Sequence, residues 1–168
     1  MKREPALMLP LSELKGEYVK GKEEFDTNYL ITNTGGKISR ANVWGNIVKK
    51  YETENFVSIT IDDFSDTIDV MVFENIEILK TLKLGQVVRI IGKIRQGKNG
   101  FFILCEGVQK LSFEGEMLAR AQIKEFFEKW KKKNNKNSVQ EESIGETKKP
   151  ESFFTEADKL DIKTNIIE

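Results

Sequence analysis

The sequence contains no histidine and a single cysteine, Cys105. The first absence removes the commonest general base and the usual zinc sites. The second excludes an intrachain disulfide and points to a reducing compartment. No apolar run approaches the roughly 18 to 20 residues of a membrane span. The opening Met1-Lys2-Arg3-Glu4-Pro5 leads into only a short apolar stretch interrupted by proline, unlike a signal peptide. A cytoplasmic protein without a membrane partner is therefore expected. Charge of one sign is also lacking, because 27 basic residues balance 27 acidic ones. Any contact with nucleic acid must then come from local clustering, and a wrapping, histone-like binder is not expected.

What is present suffices for one small core. A chain of 168 residues that is 39% hydrophobic suits one domain with appendages better than two full domains. Residues 1–35 scatter Leu7, Leu9, Leu11, Leu14, Tyr18 and Tyr29 without a sustained period, as in an arm that packs along a neighbouring domain. Residues 36–113 instead show period-two alternation in five short runs separated by turn residues, which predicts a small barrel or sandwich of strands.

The first run, Ile38 to Lys50, contains Gly45, which lets one long strand bend and serve both halves of a barrel. In the second, Val57, Ile59 and Ile61 share a face; in the third, Ile68, Val70 and Val72 do. Asp62, Asp63, Phe64, Ser65 and Asp66 supply the turn between them. Residues 75–84 follow helical spacing through Ile76, Leu79 and Leu82, with Gly85 placed as a C-cap. The fourth run sets Val88, Ile90 and Ile94 against Arg89, Lys93 and Arg95, and Asn99-Gly100 signals a hairpin into Phe101 to Val108. Three strands, a helix and two strands, with a glycine-bent first strand, is the element order of the five-stranded OB-fold barrel. The predicted class is all-β with an appended helix.

That helix is predicted over residues 114–133. Ala119, Ile123, Phe126, Phe127 and Trp130 recur at i, i+4, i+7, i+8 and i+11, while lysines and glutamates take the opposite face. So apolar a stripe needs a cover, and helices of partner subunits are the expected one. Residues 134–150 are polar and read as a disordered linker. Residues 151–168 regain apolar positions and read either as a docking peptide for a replication or repair factor or as a frayed tail.

Beside this pattern stands a family resemblance. Met1-Lys2-Arg3-Glu4-Pro5-Ala6, Asn28-Tyr29-Leu30-Ile31-Thr32, Ser39-Arg40-Ala41-Asn42-Val43-Trp44-Gly45 and Arg89-Ile90-Ile91-Gly92-Lys93-Ile94, followed by Glu106-Gly107-Val108, occur in order around the barrel pattern. Over residues 1–130 the chain resembles the archaeal middle subunit of replication protein A, the heterotrimeric single-strand-binding complex. The resemblance implies a subunit that binds single-stranded DNA in replication, repair and recombination, assembles with two other subunits through its C-terminal helix, and needs neither cofactor nor catalytic residue. Two features depart from the family: residues 151–168 are too few for a winged-helix domain, and Gln96 to Gly100 lacks the aromatic that related subunits place there.

Single strands are held by base stacking on aromatic rings and by cations along the phosphates. Phe73, on the non-core face of strand three, matches a stacking position of the resembled family; covering by the arm is the other reading. Trp44 shares a face with Arg40, Asn42 and Asn46 and reads as a platform or as a ring buried beneath residues 1–35. Arg89, Lys93 and Arg95 line one face of strand four at about 6 to 7 Å, near the phosphate repeat, or form an ordinary solvated surface. Lys98 at the hairpin tip and Lys49 and Lys50 at the end of strand one add loop cations. Phe101 and Phe102 must point to opposite faces, and the sequence leaves open which points in. Residues 36–113 carry 11 Lys and Arg against 9 Asp and Glu, so binding by the isolated subunit is expected to be weak and salt-sensitive.

Asp62, Asp63, Asp66 and Asp69 suit a divalent cation or, more simply, an aspartate-rich turn. Two further readings compete with the binding module: a scaffold that scarcely touches DNA, and an anticodon-binding type of barrel acting on RNA.

Overall fold

One strand is long enough to pair with two different neighbours in succession, and the barrel closes through it. The computed structural model describes residues 4–21 and 28–144. By compactness the chain divides between Ser138 and Val139, and apart from the end of its long helix everything below belongs to the first unit. The described elements are β1 (Leu7–Met8), a 3-10 turn (Leu11–Leu14), β2 (Glu17–Val19), β3 (Tyr29–Ile31), β4 (Lys37–Ile38), β5 (Arg40–Glu52), β6 (Val57–Asp62), β7 (Thr67–Val72), α1 (Glu77–Lys80), β8 (Val87–Gly97), β9 (Gly100–Lys110) and α2 (Phe113–Ile144).

The strand order is β5-β6-β7-β9-β8, and β8 returns to β5. Only the β7–β9 pairing is parallel within this ring. This is the closed five-stranded OB-fold barrel that the element order predicts. The first half of β5, Arg40 to Asn46, pairs with β8, and the second half, from Asn46, pairs with β6. Gly45 sits at the change of partner, where an added Cβ would meet the backbone of Asp62 at 2.9–3.1 Å. No larger residue fits the bend without moving β6.

The alternation resolves as the sequence predicts. Val57, Ile59, Ile61, Val70, Ile90, Ile94 and Ile103 are fully enclosed, with Ile68 and Val72 nearly so, each contributing roughly 1.5–3 kcal/mol relative to exposure. The arm supplies part of the same core. β1 pairs in parallel with the start of β5, and Leu9, Leu11 and Leu14 join the central cluster. Asp63 Oδ2 accepts the amide of Leu11 at 2.9 Å, and Lys15 binds Asp66, tying the arm to the β6–β7 turn. That hydrogen bond from Lys15 also holds the Asp66 carboxyl below the usual carboxylate range.

Several elements differ from expectation. The predicted 75–84 helix shrinks to one turn, α1. Gly85, at φ +78°, belongs to the following turn, and its amide donates to Ile47 O at 2.8 Å. The β8–β9 hairpin closes with Gly97 opposite Gly100, so Lys98 and Asn99 form the tip rather than Asn99 and Gly100. Helix α2 runs on to Ile144, through the first part of the segment read as a linker. The physical reason is the absence of glycine or proline between Gly115 and Gly145. Residues 145–168, with the rest of that linker and the tail, lie outside the described residues. No described helix is long and apolar enough to cross a membrane.

The stripe of α2 lies against the chain's own barrel, a cover that the expectation of partner helices did not include. Ala119 and Ile123 are buried against Trp44, while Phe126, Phe127 and Trp130 pack on the barrel's own cluster. Trp130 lies on Gly36, where a Cβ would stand 2.0 Å from its Cζ2, and its Nε1 donates to Thr34 Oγ1 at 3.3 Å. The barrel is the nearest surface able to cover the stripe, and α2 folds back along it.

Gly92 gives the sharpest test of the packing. A Cβ there would meet Leu104 O at 2.3 Å and Ile103 Cγ2 at 2.5 Å, and backbone on a paired strand yields little. We expect Gly92→Ala to cost about 1–3 kcal/mol of stability, read as a lower midpoint in chemical denaturation.

Candidate nucleic-acid interface

A bulge in β5 builds the open face of the barrel. Ile47 pairs with Ile61, yet Lys49 pairs with Thr60, so Val48 is an extra residue on that strand. Strict alternation from Ile47 would turn residues 49 and 51 inward. The inserted Val48 reverses the parity, so Lys49 and Tyr51 face out beside Thr60 and Ser58.

Across the sheet the pairings then run Lys49, Thr60, Asp69, Phe102, and in the next row Tyr51, Ser58, Met71, Leu104. Beyond them Phe56 and Phe73 meet at a ring separation of 5.9 Å, and Tyr51 lies 5.8 Å from Phe56. Three tilted rings form a row along one wall. Tyr51 is 62% exposed and Phe73 51%, enough to offer faces to a flat ligand. Lys98, Asn99 and Gly100 of the β8–β9 tip form the opposite wall, with Phe101 and Phe102. The groove continues past Tyr51, Ser58 and Asp69 to Lys49 and Leu84. Its two parts hold about 400 and 500 Å³, inside the roughly 300–1,000 Å³ range of ligand clefts.

Of the cations and stacking rings predicted from sequence, the structure brings Phe73, Lys49, Lys50 and Lys98 to the lining of this groove. It places the others elsewhere. Trp44 is 5% exposed, beneath α2, with the Arg120 guanidinium 4.7 Å from its ring; a base cannot stack there. Arg40 donates from Nε and Nη2 to Glu106 Oε2 at 2.8 and 2.5 Å and from Nη1 to Glu4 O. Arg89 is held by Asn42 at 2.8 Å, by Gln122 and by the sulfur of Met8, on the side covered by α2. Arg95 donates to the neighbouring carbonyl of Ile94 and lines neither part of the groove. Lys93 is exposed on β8 opposite Arg40 and also lies outside it. Of the cations expected along strand four, Arg89 is taken up by the chain's own amide groups, Met8 and α2, while Lys93 and Arg95 stand outside this groove.

Tyr51 and Phe56 were missed by sequence reading. Tyr51 was hidden by the bulge, and Phe56 stands just outside its strand in the loop. The Phe101–Phe102 question resolves by strand parity. Phe101 packs toward the core and against Tyr18 at 6.1 Å, and Phe102 pairs with Asp69 on the groove side.

The aspartates serve the turn. Asp62 Oδ1 accepts the amide of Phe64 at 2.7 Å, and Asp63 Oδ1 accepts the amides of Ser65 and Asp66. Among the described residues no group of three or more His, Cys, Asp or Glu is placed to hold a metal. Lys50, another loop cation of the sequence reading, reaches the carbonyls of Lys80 and Leu82 at 2.6 and 2.8 Å and so fastens the end of β5 to α1.

The comparisons agree with this fold. Residues 35–111 match a family model described as an OB-fold nucleic acid binding domain, of the tRNA anticodon type. None of the curated proteins matches the sequence. Among solved structures, a chain of the S. pombe Stn1-Ten1 complex superposes with a TM-score of 0.68 at 16% identity, covering 80% of this chain and 99% of that one. A chain of a replication protein A heterotrimer bound to ssDNA superposes with a TM-score of 0.54 at 11% identity, covering 70% and 91% respectively. At such identities the likeness is one of fold.

The lone thiol stands apart from the groove. Burial pushes Cys105 up to about 11, so at neutral pH it is a thiol and a poor nucleophile. We expect no labelling of the folded protein by iodoacetamide at pH 8 and full labelling in denaturant. Because the unfolded thiol ionises first, this group's contribution to stability is complete below the ordinary thiol range and falls as pH rises through it.

Proposed function

We propose that the groove between the Tyr51–Phe56–Phe73 wall and the Lys98 hairpin binds a short stretch of single-stranded nucleic acid, with DNA as the ligand. The row of three exposed or half-exposed rings carries the reading. Unpaired bases present flat apolar faces, and each base stacked on an aromatic ring gains roughly 1–3 kcal/mol. Lys49 and Lys98 stand at the two ends of the groove, where a phosphate backbone can be neutralised. The family match over residues 35–111 and the likeness to a chain of the replication protein A heterotrimer support the same reading. The protein acts as a binding module without catalytic chemistry of its own, in DNA replication, repair or recombination.

An RNA ligand is the second reading, favoured by the anticodon type of the matching family model. Fluorescence anisotropy separates the two. We expect oligo-dT to bind more tightly than structured RNA; the reverse order assigns the groove to RNA. Phe73→Ala and Tyr51→Ala should each weaken binding about 5- to 150-fold, the equivalent of one lost stacking contact. Trp44→Phe, which keeps the packing under α2, should leave affinity unchanged. Lys49→Ala and Lys98→Ala should each reduce the slope of log K against log salt by about 0.7. Unaltered affinity in the Phe73 and Tyr51 variants would leave the scaffold reading in its place.

We also propose that the chain works as one subunit of a multi-subunit assembly. The barrel covers the apolar stripe of α2, so partners are met by what remains: Phe113, Met117 and Leu118, which are 73%, 51% and 58% exposed near the start of that helix. The partners proposed are two further replication protein A-like subunits. Met117→Glu with Leu118→Glu should abolish co-purification with partner subunits while the thermal midpoint stays within a few degrees of wild type. Retained assembly with the double variant would move the interface off α2.

A further inference from the structure

Asp69 lies on the floor of the groove and faces both of its parts. It stands between Thr60 on β6 and Phe102 on β9. Its Oδ1 accepts the Thr60 hydroxyl at 2.6 Å, which fixes the carboxylate while occupying one of about four lone-pair positions. An ionised carboxylate only accepts hydrogen bonds. It repels a phosphate and equally repels the carbonyl-rich edge of thymine, whose lone N–H is flanked by two oxygens. Lys49 and Lys98, by contrast, sit at the ends of the groove. A strand held there places its phosphates at the lysines and its base edges on the floor, against Asp69.

We propose that Asp69 is a specificity residue that selects a base offering N–H donors on its edge, with guanine the best match. Guanine presents two adjacent donors, N1–H and the N2 amine, in the spacing that a carboxylate accepts as a pair. Adenine and cytosine each present a single amine beside an acceptor, and thymine presents the poorest edge. The inference rests on the groove being the nucleic-acid site, and adds that the site is not indifferent to sequence.

The test uses the full chain and short thymine oligonucleotides carrying one central guanine, hypoxanthine or thymine, in lithium buffer to suppress quadruplexes. We expect wild type to bind the guanine strand roughly 5- to 150-fold more tightly than the all-thymine strand, the discrimination of one bidentate contact. Hypoxanthine, which lacks the N2 amine, should fall between them. Asp69→Asn, which keeps the Thr60 hydrogen bond and the shape, should erase the preference while the all-thymine strand binds at least as well as before. Phe73→Ala should weaken both strands by the same factor. Equal binding of the guanine and thymine strands by wild type overturns the inference and leaves the groove reading standing. So does an Asp69→Asn variant that strengthens both strands equally, since Asp69 is then only a repulsive charge. Binding of neither strand overturns the groove reading, and this inference with it.

Discussion

The structure depends on β5 being one strand with two sets of neighbours. Its first half pairs with β8 and its second with β6, and Gly45 permits the change because only a hydrogen fits against the Asp62 backbone. The same bend divides the outside of the barrel. Along the first half, Asn42 and Trp44 of β5 and Arg89 of β8 lie beneath β1 and α2. Along the second half, past the Val48 bulge, the outward side chains of β5 open into the groove. A single backbone feature therefore decides which polar and aromatic residues are consumed by the fold and which remain for a ligand.

The covered half shows how completely a cation can be absorbed. Arg40 has Glu106, itself the residue bulged out of β9 between Cys105 and Gly107. Arg89 has Asn42, Gln122 and Met8. Arg120 lies over both Trp44 and Phe64, which helps hold Phe64 at a positive φ of 71° that a bulky residue rarely takes. Trp44 is the centre of this layer, joined by the small Ala119, which lets the helix approach closely. What remains in the open half is two lysines, one carboxylate and a wall of rings. Under the proposed reading, recognition there would lean on stacking more than on charge, in keeping with a chain that carries no net charge.

Much of the fold was legible in the sequence, because burial follows period. Val57, Ile59, Ile61, Ile68, Val70 and Val72 announce their faces by alternation, and a glycine inside a long alternating run announces a bend. The stripe on α2 was legible for the same reason, though its cover was not. Periodicity says that a face must be buried but carries no information about what buries it, so a partner and the chain's own barrel read alike. The lining of the candidate groove was half legible. Phe73, Lys49 and Lys98 follow from strand and loop placement. Tyr51 does not, since a bulge leaves no mark in the hydrophobic pattern until the pairing is known. Trp44 and Arg89 misled because facing out of a strand is not the same as facing water.

The three rings of the wall pack against one another without a ligand, which bears on how so lightly charged a groove would hold a strand under the proposed reading. Tyr51 is fixed at the end of β5. In the following loop the Thr53 hydroxyl accepts the amide of Phe56 at 3.0 Å and that of Asn55 at 3.3 Å, while the Thr53 amide donates to Phe56 O at 2.9 Å. That closed turn places Phe56 between Tyr51 and Phe73, and each ring limits the rotamers of the next. Immobilising a flexible side chain on binding costs about 0.5–1.5 kcal/mol, comparable with what one stacked base returns. A loop ordered by its own threonine lowers that cost for Phe56, so under the proposed reading more of the stacking energy would go into binding.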